Sequence, residues 1–190
     1  MEFLLGVVSG LISTLIFWII KNKISPPKVH FGEDISRITY SSGENGYIII
    51  YKNTGHRKLI DISLKVIVRI PGIVVWDKSL TQTFHLNTTS DKKFLLDKNI
   101  PTTTRITLEN SDNLLISGLI SKEIKNKIEE KNFALDELLK LSPKSYVSIF
   151  ILGNDEVTGV RKVFESKKYS INDIRDGKFN RDTMSIKSQC

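Results

Sequence analysis

The chain opens on an unbroken apolar run. From Phe3 to Ile20 no residue is charged, and Lys21-Asn22-Lys23 ends the run at once. A helix rises about 1.5 Å per residue, so such a run just crosses a hydrocarbon core of about 30 Å. The pattern predicts one transmembrane helix over 3–20, with Trp18 placed for the lipid–water boundary. The rival is a cleaved secretory signal, which calls for a basic n-region and a small-residue cleavage site. Only Met1-Glu2 precedes the run and KNKISPPK follows it, so an uncleaved anchor is expected. Ser25-Pro26-Pro27 then resists continuation of the helix and favours an extended path, giving a juxtamembrane linker over 21–28.

Beyond the linker the period changes to two. Ile60, Ile62, Leu64, Val66, Val68 and Ile70 alternate with Asp61, Ser63, Lys65 and Arg69, the pattern of a strand with one face buried and one wet. Tyr47–Lys52 is a second strand, expected to pair with the first through a turn at Asn53-Thr54-Gly55. Trp76, Leu80, Phe84 and Leu86 mark a third, and Val147, Ile149 and Ile151 a later one. Gly153-Asn154-Asp155 and Gly159 punctuate a hairpin into Val160–Lys168. Shorter strands are predicted at Val29–Phe31, Ile35–Tyr40, Phe94–Leu96 and Arg105–Leu108. Ile116, Ile120, Ile124 and Ile128 recur every four residues, which predicts a helical insert over 117–141. Its second, short helix covers Ala134–Leu141, with Asn132 as a candidate cap. Many short strands with one helical crossover predict a mainly β domain over 29–179, an antiparallel immunoglobulin-like β-sandwich. The polar stretch 180–190 is expected to be a disordered tail.

Charge supplies an orientation. Lys21, Lys23 and Lys28 follow the apolar run and Glu2 alone precedes it, so the positive-inside rule puts the domain in the cytoplasm, as a single-pass protein of the cell membrane. The lone Cys190 excludes an internal disulfide. The net charge of +7 is met by a solvated basic surface, with membrane lipid as the partner next in line. The juxtamembrane Lys21, Lys23 and Lys28 are the candidate contacts to anionic lipid headgroups. No basic stripe interleaved with aromatic residues points to nucleic acid. Within the span, Gly6 and Gly10 form a G-x-x-x-G and Thr14 extends the small-residue face. Small residues four apart let two helices approach closely in lipid, so Gly6, Gly10 and Thr14 are the candidate self-association face of a homo-oligomer.

The segment TGVRKVFESKKYSINDIRDGKF, Thr158–Phe179, resembles the end of the cytoplasmic immunoglobulin-like domain of inward-rectifier potassium channels. Thr158-Gly159, Tyr169, Asp173-Ile174, Gly177 and Phe179 follow one another as they do there. The resemblance implies the sandwich fold over roughly Val29–Phe179, a domain that assembles about a symmetry axis and responds to ligand and lipid contacts near the membrane. It does not extend to conduction. The family has two membrane helices around a selectivity filter, and this chain has one span and no filter sequence.

Searches for chemistry return little. His30, His56 and His85 are scattered without metal-ligand spacing, and one cysteine cannot build a thiolate zinc cluster. No phosphate-binding glycine loop, H-E-x-x-H or G-x-S-x-G occurs. Asp173, Asp176 and Asp182 near Asn180 do not fit a calcium loop. No cofactor, metal or catalytic residue is therefore expected. The expected role is a membrane-tethered, non-catalytic module for assembly or for binding a protein partner. The candidate binding elements are the helical insert and the loop Asn53–Arg57. The alternative is an effector whose β-domain senses a small anionic molecule and clusters the anchors.

Overall fold

The computed structural model describes residues 2–20, 26–40, 45–75, 78–107 and 134–187. Helix α1, Glu2–Ile19, is 18 residues long, with a mean hydropathy of 2.0 and no buried side chain. By length and composition it can cross a membrane.

The remainder is mainly β. Strands β1 (Val29–Phe31), β2 (Ile35–Thr39), β3 (Asn45–Asn53), β4 (Leu59–Val75), β5 (Lys78–Thr88), β6 (Lys92–Leu96) and β7 (Thr102–Thr107) come first. After a short helix α2 (Leu135–Lys140) come β8 (Tyr146–Asp155), β9 (Arg161–Glu165), β10 (Ile174–Asp176), β11 (Lys178–Phe179) and β12 (Ile186–Lys187). Ten of the strands form one sheet along the path β10-β2-β3-β7-β5-β4-β8-β9, with β1 also on β3 and β6 also on β4. The end of β5 joins the two halves: its body pairs with β4, while Asn87 and Thr88 pair with β7. The sheet curls, so that side chains from both halves meet in one core.

Alternation explains which faces meet. On β4, Ile62, Leu64, Val66, Val68 and Ile70 are buried, and Asp61 and Lys65 are exposed. The phase slips at Asp61, whose φ of 51° accompanies a break in register between Ile60 and Ser63, so Leu59 also faces inward. On β8, Val147, Ile149 and Ile151 are fully buried, and on β3 Tyr47, Ile49 and Tyr51 nearly so. Helix α2 adds Leu135, Leu138 and Leu139 to the same core. Burying one such side chain contributes about 1.5–3 kcal/mol, so the core dominates stability.

Several expectations change. The stretch Asn53-Thr54-Gly55 does not close a hairpin. β3 pairs with β1, β2 and β7, and β4 with β5, β6 and β8, so residues 54–58 carry the chain from one half of the sheet to the other. The sheet is not wholly antiparallel, because β10 runs parallel to β2 along an edge that β3 leaves open. The disordered tail expected over 180–190 is ordered through Lys187. β12 pairs with β11, and Met184 is buried. Gly177 makes that return feasible: its φ is 131°, and a Cβ there would collide with the Lys187 carbonyl, so only glycine fits. Of the insert, α2 lies where its second helix was expected; residues 117–133, with the proposed Asn132 cap, and Trp76 fall outside the described residues.

Candidate functional site at the anchor-proximal end

The site grows from where the inward face of two strands runs out. On β3 the inward positions Tyr47, Ile49 and Tyr51 are followed by Asn53, and on β8 the inward positions Val147, Ile149, Ile151 and Gly153 are followed by Asp155. Both polar residues inherit burial from the strand period, with at most 1 % exposure. A buried polar group is costly unless its hydrogen bonds are made, and here they are. Asn53 Oδ1 accepts from the Gly55 amide at 2.9 Å and from the Lys28 amide at 3.3 Å. Its Nδ2 donates to the Arg57 carbonyl at 2.7 Å and the Leu96 carbonyl at 3.4 Å. Asp155 Oδ2 accepts from Arg57 Nη1 at 3.1 Å, while Oδ1 accepts from the Val157 and Thr158 amides at 2.9 and 3.3 Å. Burial alone would raise the Asp155 pKa; the two amides and the Arg57 guanidinium outweigh it and hold the carboxyl below its ordinary value.

This plug fastens the linker. The Lys28 carbonyl accepts from the Thr54 amide at 2.7 Å and the Gly55 amide at 3.3 Å. Gly55 lies so close to the linker that a Cβ would come within 2.5 Å of the Pro26 carbonyl and of Pro27 Cα. Pro27 is buried, and the Lys28 side chain remains exposed. The same end gathers two further loops. Asn99 donates its amide to the Asn53 carbonyl at 2.7 Å, which seats residues 97–101 beside β3. The Glu156 carboxylate accepts from the Lys58 amide at 2.9 Å, which seats the β8–β9 turn beside residues 54–58. Lys58 in turn pairs with Asp97 at 3.0 Å.

Of the residues singled out from sequence, Gly6, Gly10 and Thr14 share one exposed face of α1, and among the described residues nothing outside the helix's own backbone lies within 4 Å of a Cβ at either glycine. The Thr14 hydroxyl donates to the Gly10 carbonyl at 2.8 Å, one turn back. Lys21 and Lys23 fall outside the described residues, and Lys28 is the member of the lysine set that can be placed. The loop Asn53–Arg57, read as a binding loop, spends Asn53 and Arg57 internally and exposes Thr54 and His56. His30, His56 and His85 are all exposed. Among the described residues, no group of three or more His, Cys, Asp or Glu side chains is placed to hold a metal. Asp173 and Asp176 are engaged separately, with Lys167 and Ser170 and with Arg37 respectively. By residue type Asn53 and Asp155 read as turn residues; their place on the buried parity of β3 and β8 was the available signal.

An open cleft of about 530 Å³ lies elsewhere, lined in part by Ser63, Lys65, His85, Asn87, Asp91 and Thr107. Its charged groups are mixed in sign, which is a weak recognition set for an anion.

No family model and no curated protein matches the chain. Among solved structures it is similar to the sporulation control protein Spo0M from Bacillus subtilis, at 14 % identity and a TM-score of 0.35. That match covers 77 % of this chain, which spans about half (49 %) of the Spo0M chain.

Proposed function

We propose that this chain is a single-pass membrane protein whose β-domain lies on the cytoplasmic side and serves as a non-catalytic module for assembly or for binding a protein partner. One observation carries the reading: the chain leaving the apolar helix is fastened directly to the domain. From Ile20 to Pro26 the chain can span at most about 20 Å, at roughly 3.3–3.6 Å per residue. At Pro26–Lys28 it is already bonded to Asn53, Thr54 and Gly55. A domain so tied is concentrated at the bilayer, where local concentration favours self-assembly and contact with other membrane-bound proteins. The curled sheet, with both halves on one core, is read as the immunoglobulin-like sandwich that the Thr158–Phe179 resemblance implies. The exposed Gly6/Gly10/Thr14 face is the proposed contact between anchors.

The test uses the full chain with a C-terminal tag in bacterial membranes. Resistance to alkaline carbonate, and digestion of the domain by protease in inverted vesicles only, is the expected result. Cross-linking on the same membranes should capture a second copy or a membrane-associated partner. Release by carbonate, or digestion in right-side-out vesicles, would overturn the reading.

A further inference from the structure

The anchor-proximal end carries a second, outward-facing feature. Ile100, Val157 and Val160 are 56 %, 55 % and 56 % exposed, although all three sit on loops that are well fixed. The β8–β9 turn is held by Asp155, which accepts from the Val157 and Thr158 amides. It is closed by bonds from the Gly159 amide to the Asp155 carbonyl and from the Asp155 amide to the Val160 carbonyl, at 2.8 and 3.0 Å. Gly159, at φ 66°, supplies the left-handed step that the turn needs. Ile100 follows Asn99, whose amide is bonded to Asn53. Rigid loops that hold β-branched side chains in water invite an apolar neighbour.

The charge around them is basic. Lys28, Lys58, Lys98 and Arg161 are exposed at this end; of the carboxylates among them, Asp97 pairs with the Lys58 ammonium and Glu156 accepts from the Lys58 main-chain amide, so the cations outnumber them. Apolar tips within a basic collar match the interfacial zone of an anionic bilayer, where apolar groups enter the acyl boundary and lysines meet headgroups. The chain also says which surface is near. Pro26–Lys28 enters the domain against residues 53–55, the segment beside which both loops are seated, and the reach of about 20 Å back to Ile20 keeps this end against whatever bilayer holds α1.

We propose that Ile100, Val157 and Val160, collared by Lys28, Lys98 and Arg161, dock this end of the domain into the lipid surface beside its own anchor. The contact rests on the membrane-anchored reading above. It turns a tether into a two-point attachment, the helix and the loops, and holds the sheet at a defined tilt to the bilayer.

The experiment uses the full chain with Cys190→Ser and an environment-sensitive fluorophore on a single cysteine at Val157→Cys, Val160→Cys or, at the opposite end, Lys144→Cys. Each is reconstituted in vesicles of phosphatidylcholine, alone or with phosphatidylserine, with and without doxyl-labelled lipid. Circular dichroism selects labelled proteins that keep the β spectrum. Labels at 157 and 160 should shift to the blue and lose at least half their intensity to doxyl lipid, more so with phosphatidylserine, and the label at 144 should do neither. Labels at 157 and 160 that report water in a carbonate-resistant protein overturn the docking and leave the anchor intact. A blue shift without doxyl quenching means that a second copy covers the loops, and also overturns it. Equal quenching at 144 means indiscriminate adsorption, and the docking falls with it. Loss of the protein to carbonate overturns the anchored reading and the docking together.

Discussion

The two ends of the β-domain are closed in different ways. At the anchor-proximal end the plug is internal: Asn53 and Asp155 lie on buried strand positions, and every described partner is main chain or the buried Arg57. At the far end the closure is peripheral. Arg37, about a third exposed, bonds Asp176 on β10 through Nε at 2.6 Å and Nη2 at 2.8 Å, and its Nη1 reaches Asp136 on α2. Both ends use one arginine, but the first is desolvated together with its carboxylate, whereas the second is a third exposed and divides itself between an exposed carboxylate, Asp176, and a largely buried one, Asp136. The lesson concerns what each can lose. A desolvated pair left without one partner strands a buried charge, whereas a wet pair re-solvates.

The sharpest way to break the contrast is to remove one partner at each end. Asp155→Ala removes the acceptor from the Val157 and Thr158 amides and the carboxylate beside Arg57, and should cost about 3 kcal/mol in a urea titration of the full chain in micelles. Gly55→Val puts a side chain into the main chain of Pro26–Lys28, which cannot yield cheaply. It should cost about 1–3 kcal/mol, and hydrogen exchange should show the loss in the Thr54 amide before the core strands. Arg37→Ala releases the exposed Asp176 at little cost but leaves the largely buried Asp136 without its guanidinium, and should cost about 1–2 kcal/mol; a loss as large as that of Asp155→Ala would erase the distinction.

Acid should expose the same contrast more gently. Asp155 titrates below its ordinary value of 3.8, so near that pH the folded protein binds fewer protons than the unfolded chain. Its stabilisation is complete at pH 7 and is lost as pH falls through 3.8 towards the lower folded value. Asp155→Asn should flatten the decline in the urea midpoint between pH 5 and pH 2.5, and an unchanged slope would place the acid sensitivity elsewhere. The smallest effect on the domain is expected from Gly10→Ile. Among the described residues no side chain or neighbouring segment lies within 4 Å of a Cβ placed there, so the urea midpoint should not move, while cross-linking between copies through α1 should fall several-fold.

Much of the fold was legible because strand period is a local signal. Ile60–Ile70 and Val147–Ile151 alternate, and they form β4 and β8 with Ile62, Leu64, Val66, Val68 and Ile70 and with Val147, Ile149 and Ile151 inward; Ile60 alone is displaced by the slip at Asp61. The hairpin from Gly153 to Lys168 was legible for the same reason: its turn chemistry lies between its strands. Partner choice was not. β3 and the first part of β4 are near in sequence, yet they pair in different halves, because both edges of β4 are taken by β5, β6 and β8, which lie further along the chain. The plug was hidden by type. Asparagine and aspartate beside glycine read as turns, and only the parity of their strands betrays that they face inward. The segment Thr158–Phe179 illustrates the same limit. Tyr169 is buried and donates its hydroxyl to the Gly32 carbonyl at 2.6 Å, Asp173 caps the turn after Ser170, and Gly177 admits β12. Its distinctive residues are committed to packing, and so they inform on architecture more than on partners.

The fastening of Pro26–Lys28 has a mechanical consequence. The linker passes straight into β1, which lies antiparallel on β3 from Val29↔Asn53 to Phe31↔Tyr51. A pull on the linker directed along β1 therefore loads its ladder in shear, with the bonds at Lys28 strained together with those of the strand rather than one after another. A load entering from α1 would then reach the core through β1 and β3 together, as a shared load.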